Sequence, residues 1–193
     1  MRLDHKIIYD TIAPGAKVLD LGCGDGELLD ILVKGKQVKA TGIEVDDQAV
    51  YKCVEKGLTV FHSDLDSGLT GYPDKTFDYV ILNQTMQELK RVDFVLQEAL
   101  RVGKKVIVGF SNFAYIRARL RMFVKGKVPI TKSLPYQWYN TPNLHFLSIR
   151  DFWDYCNKNE ITVVDAKYYH RTRFVPVFPN LIALNAVFLI EKV

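Results

Sequence analysis

Three glycines, Gly22, Gly24 and Gly26, stand in Val18-Leu-Asp-Leu-Gly-Cys-Gly-Asp-Gly-Glu27, directly after a short apolar run. Glycine lets a backbone turn tightly and lets a ligand approach the main chain. Acids crowd the ends of this and the following apolar runs: Asp20, Asp25, Glu44, Asp46, Asp64 and Asp66. A glycine loop of this kind can cradle phosphate, and the dinucleotide form of it reads GxGxxG. Here the third glycine comes one residue early, and Glu27 stands where that pattern has glycine. Two like charges about 4 Å apart repel by about 4 kcal/mol at an effective dielectric of 20. A pyrophosphate is therefore poorly matched to this acidic rim.

A phosphate-free cation suits it better. S-adenosylmethionine carries a sulfonium and an ammonium, and its demethylated product S-adenosylhomocysteine keeps the ammonium. In this reading Gly22, Cys23, Gly24 and Gly26 form the loop, and Asp20 pairs with the methionyl ammonium through it. Glu44, with Val45 beside it, accepts both ribose hydroxyls. Asp64 accepts from the adenine amino group, and Leu65 packs on the ring. Asn83 faces the methionyl part or an acceptor. Each charge-assisted hydrogen bond of this sort contributes roughly 1.5–3 kcal/mol. Cys23 reads as a small packing residue and not as a nucleophile.

Methyl transfer also needs an acceptor held in line, often with a general base. Asn83-Gln84-Thr85-Met86 lacks the Pro-Pro-aromatic sequence common in amine methylases, which disfavours amine acceptors. Hydroxyl or carbon acceptors remain, with His145 or Tyr139 as base or positioning group. His5, His62 and His170 show no metal-ligand spacing, so no metal is expected.

The elements that must position these residues follow from the pattern of apolar runs. Lys17–Leu21, Lys39–Val45, Leu58–His62, Phe77–Leu82 and Lys105–Phe110 read as strands. Gly26–Val33, Asp47–Lys56, Val92–Arg101 and Ser148–Lys158 read as helices, with Lys34-Gly35 as a stop for the first. Ile161–Tyr169 and Ala183–Glu191 read as two final strands, antiparallel to each other. The alternation predicts an α/β three-layer sandwich around a seven-stranded, mostly parallel sheet. No linker interrupts residues 1–193, so a single domain is expected.

The chain has 193 residues, 48% hydrophobic and 25% charged. Such values exclude a disordered, collagenous or coiled-coil chain. Three cysteines, Cys23, Cys53 and Cys156, are odd in number and widely spaced, which gives no disulfide framework and points to a reducing compartment. Met1–Ala13 has no signal-peptide core. Phe174–Ile190 is broken by two prolines and two asparagines and is a poor membrane span. The expectation is a soluble, cytoplasmic protein with no membrane partner.

Net charge is +4, but residues 113–145 carry six basic residues and no acid, which leaves −2 for the rest. That segment follows the fifth strand and reads as an insertion. Ile116, Leu120, Phe123 and Val124 recur at helical spacing among Arg117, Arg119 and Arg121, and Tyr136, Trp138 and Tyr139 follow. Aromatics and arginine are enriched at interface hot spots, so the segment suits a lid or a partner surface. No nucleic acid is expected, given the missing amine motif and the modest overall charge.

Through VLDLGCGDG, GIEVD and FDYVIL the chain resembles the class I S-adenosylmethionine-dependent methyltransferase fold over residues of about 15–111. That resemblance implies a Rossmann-like sheet with a reversed last strand. Four further stretches are similar to the methionine biosynthesis protein MetW family: His62–Leu69; Asp78–Gln87; Leu100–Gly103 with Phe110–Phe113; and Val128–Thr131 with Leu134–His145. The last is the most diagnostic. The sequence departs from the family pattern at Asn83, where serine is expected, and at Ser111, where proline is expected. The resemblance implies an accessory or regulatory partner of homoserine O-acyltransferase in methionine biosynthesis, and it leaves room for a homodimer. An active methyltransferase on a small hydroxyl or carbon acceptor is the alternative.

Overall fold

The computed structural model describes residues 1–131 and 134–192. In chain order the elements are α1 (Leu3–Thr11), β1 (Lys17–Leu21), α2 (Glu27–Lys36), β2 (Lys39–Glu44), α3 (Asp47–Glu55), β3 (Val60–His62), a single 3-10 turn (Leu65–Ser67), β4 (Phe77–Asn83), α4 (Val92–Val102), β5 (Gly103–Ser111), α5 (Ile116–Lys125), α6 (Ile149–Lys158), β6 (Thr162–His170), β7 (Arg173–Phe174), α7 (Pro179–Ile182) and β8 (Asn185–Glu191). They form one sheet in the order β3-β2-β1-β4-β5-β8-β6-β7. The strands from β3 to β5 pair parallel, and β8 runs antiparallel to both β5 and β6.

The sequence pattern predicts seven strands, and the sheet has eight. The extra one is β7, two residues paired antiparallel to the end of β6. Two residues are too few to show a period of two, and Pro176 lies just beyond them. The final long strands, β6 and β8, are antiparallel to each other as expected.

Strand order reverses at β1, which lies between β2 and β4. The helices that follow β1 and β4, α2 and α4, lie on opposite faces of the sheet and leave a crevice at the carboxyl end, the place where open α/β sheets bind ligands. Side chains alternate across the sheet with the strand period. Val18, Ile81, Ile107 and Val187 join Ile7, Ile8, Leu28 and Leu32 of α1 and α2 on one face. Leu19, Val80, Leu82, Val106 and Phe188 join Leu96, Ala99, Phe152 and Cys156 of α4 and α6 on the other. By the same alternation Asp20 and Asn83, at the ends of β1 and β4, fall on the α1 side.

Phe188 is fully buried at the centre of the second face. It stacks on Phe110 at 5.7 Å between ring centroids and meets Phe152 at 4.8 Å and Trp153 at 5.7 Å, edge to face. The indole N–H of Trp153 donates to Tyr168 Oη at 3.0 Å. The helix beneath is fixed at its start by a capping box in which Ser148 and Asp151 exchange hydrogen bonds.

Two local features differ from the sequence reading. Met1–Ala13 carries α1, which buries Ile7, Ile8 and the polar Asp4 and His5. Gly35 does not stop α2 but lies inside it, at a position where a side chain would meet the Tyr9 ring at 2.7 Å. The helix ends at Gln37, whose φ of +53° is left-handed.

Beyond β5, α5 buries only Ala118. Phe123 is 90% exposed and Val124 70% exposed, with Leu120 and Met122 about half exposed. Of the apolar stripe expected from the sequence, Ile116 is half-buried, while Leu120, Phe123 and Val124 are exposed among the described residues. Lys132, the last of the six basic residues, lies outside the described residues. Among the described residues no helix is long and apolar enough to cross a membrane.

Candidate functional site

The loop from Gly22 to Gly26 leaves β1 through three left-handed glycines, with φ of +74°, +55° and +76° at Gly22, Gly24 and Gly26. They do different work. A side chain at Gly22 would meet Thr85 at 2.5 Å, and one at Gly26 would meet Leu58 at 2.5 Å and Cys53 Sγ at 2.9 Å. Those two glycines permit packing. Gly24 has nothing within 4 Å of where a Cβ would stand, so its face opens onto free space. The loop is held from below, where Gly22 and Cys23 donate their N–H groups to Ile43 O at 2.8 and 3.2 Å. Cys23 packs under Gly42, where a side chain would come within 2.5 Å of its sulfur. Burial, with Asp20 and Cys53 nearby, pushes the Cys23 thiol far up and keeps it protonated.

Two adjoining clefts meet at this loop and share Gly22, Gly24, Asn83 and Gln84 as walls. The first, of about 350 Å3, is lined also by Glu44, Val45, Asp64, Leu65, Thr85 and Glu88. The second, of about 180 Å3, is lined also by Arg2, His5, Asp20, Cys23 and Glu27. Cofactor-site residues expected from the sequence thus line one cleft or the other, except Gly26, which supports the loop from behind. His145 and Tyr139 line neither. His145 borders a separate apolar cavity with Met86, Leu96 and Phe152, and Tyr139 is 69% exposed with its ring against Trp138.

The acids divide by role. Asp46 is the N-cap of α3 and accepts from Ala49 N at 2.8 Å. Asp66 clamps the loop before α4, accepting from Lys90 N at 3.1 Å and Arg91 N at 2.8 Å. Asp25 pairs with Lys56 at 3.5 Å. These three serve the scaffold. Glu44 accepts from Gly24 N at 2.8 Å, Val45 N at 2.8 Å and Asp46 N at 3.0 Å. A carboxylate has about four acceptor sites, so Glu44 keeps about one free. Asp64 caps the 3-10 turn through Asp66 N at 2.9 Å and stays exposed to the larger cleft.

Asp20 is 3% exposed, and among the described residues its carboxyl accepts no hydrogen bond. Burial, reinforced by the Glu44 charge, raises it from 3.8 to about 7. The folded chain therefore keeps a proton that the unfolded chain gives up. The resulting stabilisation is complete below pH 3.8 and is lost as pH climbs through about 7. We expect Asp20→Asn to flatten the fall in urea midpoint across that window. A pH profile that keeps its slope in the variant would show that another group titrates.

The sequence reading misses the wall that α1 supplies. Asp4 is buried and accepts from Arg2 Nη2 at 2.7 Å and from Asn83 Nδ2 at 3.1 Å. His5 is buried beside Asp20, and its Nδ1 has no hydrogen-bond partner. Desolvation, opposed by the Asp4 charge, lowers its pKa and favours the neutral ring. Leu3, Ile7, Ile8 and Ile12 are the helical signal that could have revealed α1. Gln84 is also missed. Its φ of +65° is left-handed, a strain of order 1–3 kcal/mol that recurs at functional sites. Its N–H donates to Gly109 O at 2.7 Å, which holds it there.

Comparison with known proteins gives a family and a fold. The sequence model of the family described as methionine biosynthesis protein MetW matches residues 2–190. The bifunctional methionine biosynthesis protein MetXA/MetW of Rhodopirellula baltica is 33% identical over 178 residues, which are 88% of this chain and 29% of that protein. The chain thus spans under a third of that relative. Among solved structures, a SAM dependent methyltransferase from Archaeoglobus fulgidus aligns with a TM-score of 0.70 at 15% identity, covering 98% of this chain and 91% of that one. The [4+2]-cyclase SpnF aligns with a TM-score of 0.70 at 18% identity, covering 98% and 80%. At such identities the likeness is one of fold.

Proposed function

The chain belongs to the methionine biosynthesis protein MetW family, and on that premise we propose that it binds S-adenosylmethionine or S-adenosylhomocysteine and serves as a cytoplasmic accessory to homoserine O-acyltransferase. The observation that carries the ligand is the unpartnered Asp20 carboxyl, buried beside a glycine whose side-chain space is empty. A cation there restores charge to a group that burial otherwise neutralises near pH 7. The residues fit an adenosyl ligand without phosphate. Asp20 holds the ammonium and Gly24 admits the ligand to the main chain. Glu44 takes one ribose hydroxyl on its free site and the second by releasing Gly24 N, with Val45 at the rim. Asp64 and Leu65 receive the adenine. Asn83 ties β4 to α1 through Asp4 and closes the methionyl end.

S-adenosylmethionine, when bound, supplies an electrophilic methyl group. The fold does not require that the group be transferred, and the candidate base residues His145 and Tyr139 stand outside both clefts. The accessory reading is therefore favoured over methyl transfer to a hydroxyl or carbon acceptor.

The partner reading draws on two things. The R. baltica relative is named for MetXA and MetW together, and this chain matches 29% of it. The segment 113–145 presents an uncovered helix face, Leu120, Phe123 and Val124, among basic residues. A large aromatic at an interface centre commonly contributes about 2 kcal/mol or more. Co-expression with the acyltransferase of the same source should therefore give a complex that alters acyl transfer. Phe123→Asp should weaken that complex at least about 10-fold while leaving S-adenosylhomocysteine binding intact. No complex and no effect on acyl transfer would overturn the accessory reading.

A further inference from the structure

The smaller cleft does not end at Gln84. A cavity of about 480 Å3 continues beyond it, sharing Arg2 and Gln84 as walls and lined further by Asp4, Ser111, Arg171 and Asn185. The sign of charge changes across that junction. On the loop side Asp20, Asp25, Glu27, Glu44, Asp64 and Glu88 outnumber Arg2, which stands at the junction. On the far side stand the guanidiniums of Arg2 and Arg171, with Asp4 the one acid. Asp4 is already engaged by Arg2 and Asn83. Arg171 makes no ion pair or side-chain hydrogen bond among the described residues and is held at φ +57° in the turn after β6. Arg2 spends Nε and Nη2 on Asp4 at 3.2 and 2.7 Å and keeps Nη1 free.

We propose that this cavity is a binding subsite for a small monocarboxylate, with Arg171 as its principal anchor and Arg2 as its second. Guanidinium forks match a carboxylate. Among the side chains of the wall, Asp4 offsets one of the two guanidiniums and leaves about one positive unit, which suits a monoanion better than a phosphate dianion. The buried Ser111 hydroxyl donates toward Gln84 Oε1 and Asn185 Oδ1, each at 3.1 Å, and so fixes these two amide side chains on the wall. This row of polar groups suits a ligand with a hydroxyl a few atoms from its carboxylate. The volume falls in the range of small-molecule sites. The inference goes beyond the adenosyl reading and does not depend on it, because none of the wall residues needs that ligand in place.

The test is an amide-shift titration of the whole chain, first alone and then saturated with S-adenosylhomocysteine. The probes are acetate, lactate and 4-hydroxybutyrate, their uncharged amides, and inorganic phosphate. At least one carboxylate should move the Ser111, Thr172 and Asn185 amides saturably. Its amide should not, and Arg171→Gln should weaken it at least about 10-fold. Arg171 is exposed and unpaired, so its replacement is expected to leave the thermal midpoint in place. The proposal fails if no carboxylate saturates, if the amides bind as well, if Arg171→Gln changes nothing, or if phosphate binds more tightly than every carboxylate. Failure of S-adenosylhomocysteine to bind would count against the adenosyl reading alone, since the titration without it stands.

Discussion

Replacing Gly24 by asparagine should leave the chain folded and lower its affinity for S-adenosylhomocysteine at least about 100-fold, which is about 2.7 kcal/mol. Asparagine tolerates the left-handed conformation better than most residues, and the backbone there has φ +55°. Nothing lies within 4 Å of the new Cβ, so the protein itself does not resist the change. The side chain instead occupies the space through which a ligand would reach the loop. Gly22→Ala and Gly26→Ala should behave differently, since each drives a methyl into Thr85 or into Leu58 and Cys53. Those variants lose stability as well as binding. Calorimetry with a parallel thermal melt separates the cases, and full affinity in a folded Gly24→Asn protein would remove the adenosyl ligand from this loop.

Phe188→Ala should cost about 3–5 kcal/mol, the usual range for truncating a fully buried aromatic. Phe188 is the ring on which Phe110, Phe152, Trp153 and Tyr168 converge. The cavity it leaves is walled by a strand on one side and a capped helix on the other, so little can collapse into it. For a chain of this size each kcal/mol moves the thermal midpoint by about 2–4 °C, so a fall of roughly 10 °C is expected. A urea midpoint series gives the free energy directly. A loss below about 1 kcal/mol would show that the aromatic cluster repacks.

The sheet and the loop at its carboxyl edge were legible because β1, β4 and β5 are largely buried and read as apolar runs. The glycines marked the turn for a similar reason, since the left-handed backbone leaves little choice of residue. The acids were legible as a group but not by role. Asp46 and Asp66 look like ligands in sequence because helix caps and loop clamps need the same short carboxylate. Asp20 and Asp46 could be told apart only once the pleat put one under α1 and the other at a helix start. Gln84 left no trace, because its strained backbone is imposed by Gly109 across the sheet and not by its neighbours. Helix α1 was lost for a simpler cause. It is nine residues long, and its apolar positions are interleaved with charged and polar ones, of which Asp4 and His5 are buried.

The chain has two tryptophans, and the fold sends them to opposite settings. Trp153 lies against Phe188 with its N–H bonded to Tyr168, while Trp138 is 73% exposed in the basic segment. Their emission should differ in colour and in access to a quencher such as iodide. The molecule thus carries two built-in fluorophores, one reporting whether the interior is assembled and the other whether the outer segment is shielded.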